Sequence, residues 1–198
     1  MSKDYRTISE LLSSQEPNTE LEEKDMAVEE KETPVEVNTT DQTQVENNNV
    51  VELLKKSLNI HWQQTTTLSA QAVHLARWGY SKLAAVVKAD ALQEHEHAMI
   101  NLTRLEFFDA DYQPLVVQPP VWKRHDMVAM IQYNLDSVQE AARAERAAIS
   151  AARAVGDEMT ANSMIPLLQG SEDGIVLYTG FLKIIEQMGL DNFLSIQA

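Results

Sequence analysis

The chain has 198 residues, a formal net charge of −14 and no cysteine. Disulfides and thiolate metal sites are therefore excluded, so acidic a chain is a poor partner for nucleic acid, and the length suits one domain of ordinary size. No apolar run reaches the roughly 18 residues that a membrane span needs. The opening "MSKDYRTISELLSSQEP" also lacks the basic-then-apolar layout of a secretory signal, so the chain reads as cytoplasmic.

The charge is uneven. Residues 1–49 hold 13 acidic and 4 basic side chains, a net of −9, whereas residues 50–198 hold 17 and 12, a net of −5. The stretch "QEPNTELEEKDMAVEEKETPVEVNTTDQTQVENNN" is polar and nearly free of aromatics. It has too little apolar surface to offset its ordering entropy, so residues 1–49 are expected to form a disordered acidic N-terminal extension. Within it Tyr5, Ile8, Leu11 and Leu12 fall at helical spacing, which fits a short docking helix or a transient amphipathic turn.

From Val50 a helical pattern begins. Leu54, Leu58, His61, Thr65, Leu68, Ala72 and Leu75 alternate gaps of four and three, one face of a first helix that breaks at Gly79. A second stripe follows: Leu83, Val87, Asp90, Glu94, His97, Asn101 and Leu105. "DADYQPLVVQPPVW" then has three prolines and no helical period, so it reads as a long connection. The third stripe is Met127, Ile131, Asn134, Val138, Ala141 and Ile149, ending near Gly156. The fourth is Met164, Leu167, Ser171, Ile175, Tyr178, Leu182 and Ile185, ending at Gly189. "LDNFLSIQA" is left for a short last helix. Residues 50–198 are thus expected to be all-α: two antiparallel helix pairs with a long crossover between the second and third helices, the ferritin-like arrangement of a four-helix bundle, plus a short fifth helix.

Bundle cores are ordinarily apolar, but these stripes contain His61, Asp90, Glu94, His97 and Asn134. A buried carboxylate must be paired, protonated or metal-bound. Glu94 and His97, in "EHEH", are three apart and share one face, while His95 and Glu96 face elsewhere. An E-x-x-H pair on a bundle helix is the repeating half of a carboxylate-bridged two-metal site.

The segments "RWGYSKLAAVVKADALQEHEHA" and "IIEQMGLDNFL" resemble the second-helix opening and the fourth-helix end of the bacterioferritins, and the resemblance spans roughly residues 50–198. It implies a hollow multi-subunit shell, oxidation of Fe(II) at a two-iron site in each bundle, storage of Fe(III), and in many members haem between paired subunits. The family's six ligands carry over unevenly. The second-helix Glu and His are Glu94 and His97. The first-helix Glu falls on His61. The third-helix Glu falls on Asn134, with Glu140 and Glu145 as alternatives. The fourth-helix E-x-x-H falls on Ser171 and Gly174. Two of six are kept, so ordinary two-iron oxidation is not expected.

His61, Glu94 and His97 form a two-histidine, one-carboxylate set, the ligand type of mononuclear non-haem iron. One metal, with Asp90 and Asn134 as weaker neighbours, is one expectation; a hydrogen-bonded polar remnant without metal is the other. His95 stands where the resemblance puts a haem-ligating Met, and a His can ligate haem equally well. Three functions follow: an iron-binding, iron-storing subunit with a degenerate oxidation centre, in a homo- or hetero-oligomer of ferritin-like subunits; an enzyme with a mononuclear or residual ferroxidase site; or a metal-free structural protein. Fold alone does not choose between them.

Overall fold

The computed structural model describes residues 39–113 and 120–198, with side chains from residue 47 onward and without that of Arg124. The amphipathic turn at Tyr5–Leu12 and most of the acidic extension lie outside the described residues.

Four long helices follow one another: α1, Thr39–Arg77; α2, Ser81–Phe107; α3, Met127–Ala154; and α4, Glu158–Met188. A short α5, Leu190–Ser195, closes the chain. Among the described residues there is no strand. Among the described residues no helix is long and apolar enough to cross a membrane.

The expected breaks fall where the sequence puts them. Gly79, Gly156 and Gly189 have φ of 93°, 77° and 83°, a left-handed backbone that glycine adopts without steric cost. Asp157 caps α4, its carboxylate accepting from the Thr160 N–H at 2.9 Å, which satisfies one of the free N–H groups of the first turn. The start of α1 differs from expectation. It begins at Thr39, not Val50. Once Val50, Leu54 and Leu58 anchor a helix, each added residue brings its own backbone hydrogen bond, and "TTDQTQVENNN" has no Gly or Pro to stop it.

Cross-helix contacts give the directions. Gln71 meets Asn134 and His61 meets Glu145, so α1 runs antiparallel to α3, and the tight turn between Arg77 and Ser81 sends α2 back along α1, where His61 meets Glu94. Asp90 meets Tyr178 while Arg104 meets Thr160, so α2 and α4 are antiparallel too. The order is up–down–down–up, and the parallel step from α2 to α3 needs the long crossover of a ferritin-like bundle. A 3₁₀ turn, Arg124–Asp126, leads from it into α3. α5 folds back on its own bundle: Phe193 is fully buried, and the Lys82 N–H donates to the Gln197 carbonyl at 3.0 Å.

The interior has three storeys. An apolar cluster built on Leu75, Leu83, Met127, Tyr178 and Phe193 fills the end near α5. Another, built on Val50, Leu54, Leu105, Ala148 and Met164, fills the opposite end. Between them lie the polar groups, among them His61, Glu94, His97, Glu145 and Ser171, all buried.

Candidate metal centre

The polar layer is assembled from all four long helices. α1 brings His61, α2 brings Glu94 and His97 one turn apart, α3 brings Glu145 and α4 brings Ser171. His61 Nδ1 lies 2.6 Å from Glu94 Oε2. On the other edge of the ring, Nε2 lies 3.1 Å from Glu145 Oε1, an ion contact poorly aligned for a hydrogen bond. The Ser171 hydroxyl donates to the same Glu145 oxygen at 3.0 Å. His97 Nδ1 stands 3.8 Å from Glu94 Oε2, beyond hydrogen-bond reach, and is buried without a partner. The His61 and His97 rings meet edge-on at 5.1 Å.

These contacts set the charges. Burial alone would lower the His61 pKa, but the Glu145 and Glu94 carboxylates outweigh it and raise it to about 9. Burial alone would raise Glu94, but His61 and then His97 pull it down to about 2. At neutral pH the layer therefore holds an imidazolium against the Glu94 carboxylate, with Glu145 on its other edge. Each charge is desolvated, and only the partner makes that tolerable.

Of the residues singled out in the sequence, His61, Glu94 and His97 come together: one ligand-type atom from each lies within 4.8 Å of the others. Asp90 and Asn134 do not join them. Asp90 accepts from the Tyr178 hydroxyl, and burial raises its pKa to about 6 despite that bond. Asn134 pairs reciprocally with Gln71, both bonds at 2.8 Å. It sits eleven residues before Glu145 on α3, about 16 Å along the axis. Glu140, an alternative for the third-helix carboxylate, is exposed. The other alternative, Glu145, is the one that reaches the layer. His95 is exposed, with Trp62 edge-on at 5.4 Å.

The sequence did carry a signal for Glu145. Val138, Ala141, Glu145, Ala148 and Ala152 continue the α3 stripe in steps of three and four, and all are buried. Gly170 was not anticipated either. A Cβ there would lie 2.5 Å from His97 Cε1, so its missing side chain is the slot for that ring.

The residues do not fit a two-iron centre. The bacterioferritin resemblance puts the fourth-helix Glu and His at Ser171 and Gly174. A Cβ on Gly174 would lie 3.1 Å from Val138 Cγ1, so Val138 already fills that space. Two carboxylates, Glu94 and Glu145, remain for two divalent ions. A single ion fits the donor types better, although the spacing is that of a hydrogen-bonded pair. With bonds of about 2.0–2.2 Å, two ligand atoms on one ion stand roughly 3 Å or more apart, and His61 Nδ1 is closer than that to Glu94.

Against known protein families, the model of the ferritin-like domain matches residues 51–188. No curated protein matches the chain in sequence.

Proposed function

This chain belongs to the ferritin-like domain family, and from that premise we propose that it is an iron-handling subunit of a ferritin-type assembly in the cytoplasm, close to the bacterioferritins, that lacks two-iron oxidation of its own. Iron is its cargo, Fe(II) entering and Fe(III) held, while oxidation falls to a partner subunit. One observation carries the reading: the space of the α4 ligands is filled by Val138 against Gly174, and the remaining carboxylates are engaged by His61 and Ser171. Assembly is supported by the outer face of α1 and α2, where Val73 and Leu92 are 67% and 60% exposed beside a groove of about 510 Å³. Apolar surface of this kind marks contact sites.

The test is native mass combined with Fe(II) oxidation followed by ultraviolet absorbance. The purified chain is expected to assemble, alone or with an oxidation-competent ferritin-like subunit, to retain iron, and to show no fast oxidation phase matched to its concentration. Such a phase from the pure chain would end the proposal.

A second reading keeps one metal on His61, Glu94 and His97. The buried, unpartnered His97 Nδ1 beside Glu94 favours it. Bound there, iron would supply open positions for small oxidants, as two-histidine, one-carboxylate sites do. In this chain Glu94 would orient both rings, and Gly170 would keep His97 facing inward. One metal per chain surviving a chelator rinse and lost in His97→Ala is the expected sign; metal content unchanged by that substitution removes this reading. His95 is exposed, where only a second subunit could complete a haem site, and haem forms no part of either reading.

A further inference from the structure

A metal centre in a helical bundle does two jobs. It reacts, and its positive charge holds together inward carboxylates that would otherwise repel one another. This chain has lost most of the ligands for the first job, yet the second is still done. We propose that His61 is the internal cation of the bundle, a side chain that takes over the cross-linking role of a metal ion and makes the fold independent of metal. The inference rests on the reading of a subunit without two-iron chemistry.

Three observations support it. The ring spans Glu94 at 2.6 Å and Glu145 at 3.1 Å, and the Ser171 hydroxyl donates to Glu145 at 3.0 Å, so a connected chain of contacts centred on His61 reaches all four long helices. The residues are shut away together: His61, Glu145 and Ser171 are 0% exposed and Glu94 is 2%. Finally, the third-helix carboxylate that reaches the layer is Glu145, whose Oε1 faces the His61 ring. It lies on its own turn of α3, at the height of His61, where it supplies the second carboxylate for an imidazole and not one for a second metal. His97 is left outside the bridge, its Nδ1 3.8 Å from the nearer carboxylate oxygen.

The proposal predicts that exchanging one residue exchanges the kind of cation. The full-length chain and two variants, His61→Glu and Glu145→Gln, are unfolded by heat in chelator and again with Mn(II) or Zn(II) alone. The unaltered chain is expected to melt at the same temperature in every condition. His61→Glu sets three carboxylates against one another, so its midpoint is expected to fall by about 10 °C in chelator and to recover with metal. In Glu145→Gln the midpoint is expected to fall and metal not to restore it. The proposal is overturned if the unaltered chain is stabilised by metal, if His61→Glu folds but ignores metal, or if Glu145→Gln melts like the unaltered chain. Should His61→Glu fail to fold at all, the other two proteins decide by the same criteria. Failure of the functional reading would look different: Fe(II) oxidation by the pure chain, while the three midpoints respond to chelator and metal as expected above.

Discussion

The two sides of the polar layer have diverged. On the α1–α2 side, His61, Glu94 and His97 are all groups that can bind a proton or a metal, and Gly170 on α4 leaves room for one of their rings. On the α3–α4 side, Val138 and Gly174 pack flesh to backbone, and Ser171 serves only to hold Glu145. On the proposed function, the difference is what losing a metal centre demands. Removing ligands leaves volume to fill and charge to balance. Here one side fills the volume and the other balances the charge, with Glu145 crossing over to complete it.

The strongest way to break this contrast is to unbalance the charged side. Glu94→Gln leaves the buried His61 imidazolium with one carboxylate, and a broken buried pair costs about 3–5 kcal/mol. Chemical denaturation of the variant at neutral pH is expected to show a loss of that size. Loss of a few tenths would mean that the bridge carries little.

pH reaches the same charges without mutation. His61 has its pKa raised from 6.5 to about 9, so its contribution is complete below 6.5 and is lost as pH rises through about 9. Glu94 has its pKa lowered from 4.5 to about 2, so its contribution is complete above 4.5 and is lost as pH falls through about 2. The pair thus favours a plateau between 4.5 and 6.5 with declines on both flanks. Asp90, raised from 3.8 to about 6, works in the opposite sense to Glu94: its contribution is complete below 3.8 and lost as pH rises through about 6. Urea midpoints from pH 2 to 10 measure the profile. His61→Gln should flatten its alkaline flank, and a flank left unchanged would assign it to another group.

The filled side should respond more weakly. Gly174→Ala gains about 1 kcal/mol of helix propensity but presses on Val138 Cγ1, and overpacking costs about 1–3 kcal/mol. A net loss of about 1 kcal/mol is expected, relieved when Val138→Ala is added. Additivity of the two changes would show that they do not share the space. Smallest of all is the rim of this side. Arg146 and Glu172 pair at 2.6 Å with both side chains about half exposed, so Glu172→Ala should cost at most about 1 kcal/mol, and a larger drop in melting temperature would place Glu172 in the site.

The sequence was most legible where large apolar residues fix the helical phase. Leu54, Leu58, Leu68 and Leu75 orient α1, so His61 could be placed inward, and Leu83, Val87 and Leu105 do the same for Glu94 and His97. The α3 segment "EAARAERAAISAARA" offers no such guide. Alanine suits both faces of a helix, so the inward turn of Glu145 was one option among several, although its spacing from Val138 and Ala141 was there to be read. Periodicity also names a buried residue without naming its partner. Asn134 was correctly placed on the inner stripe, and its match, Gln71, lies 63 residues away, a distance that no local pattern reports. The helical turns of Thr39–Asn49 were missed because composition weighs a segment alone, whereas this one continues a helix that packing has already begun.

The bridge of Glu94, His61 and Glu145 also bears on supply. A subunit whose core waits for an ion can mature only as fast as the cell delivers that ion, and iron is scarce when storage has not yet begun. A core that closes on its own histidine comes complete from the ribosome. On the proposed function, such a subunit can be made in advance of its iron, so production of the container and availability of its contents become separate events.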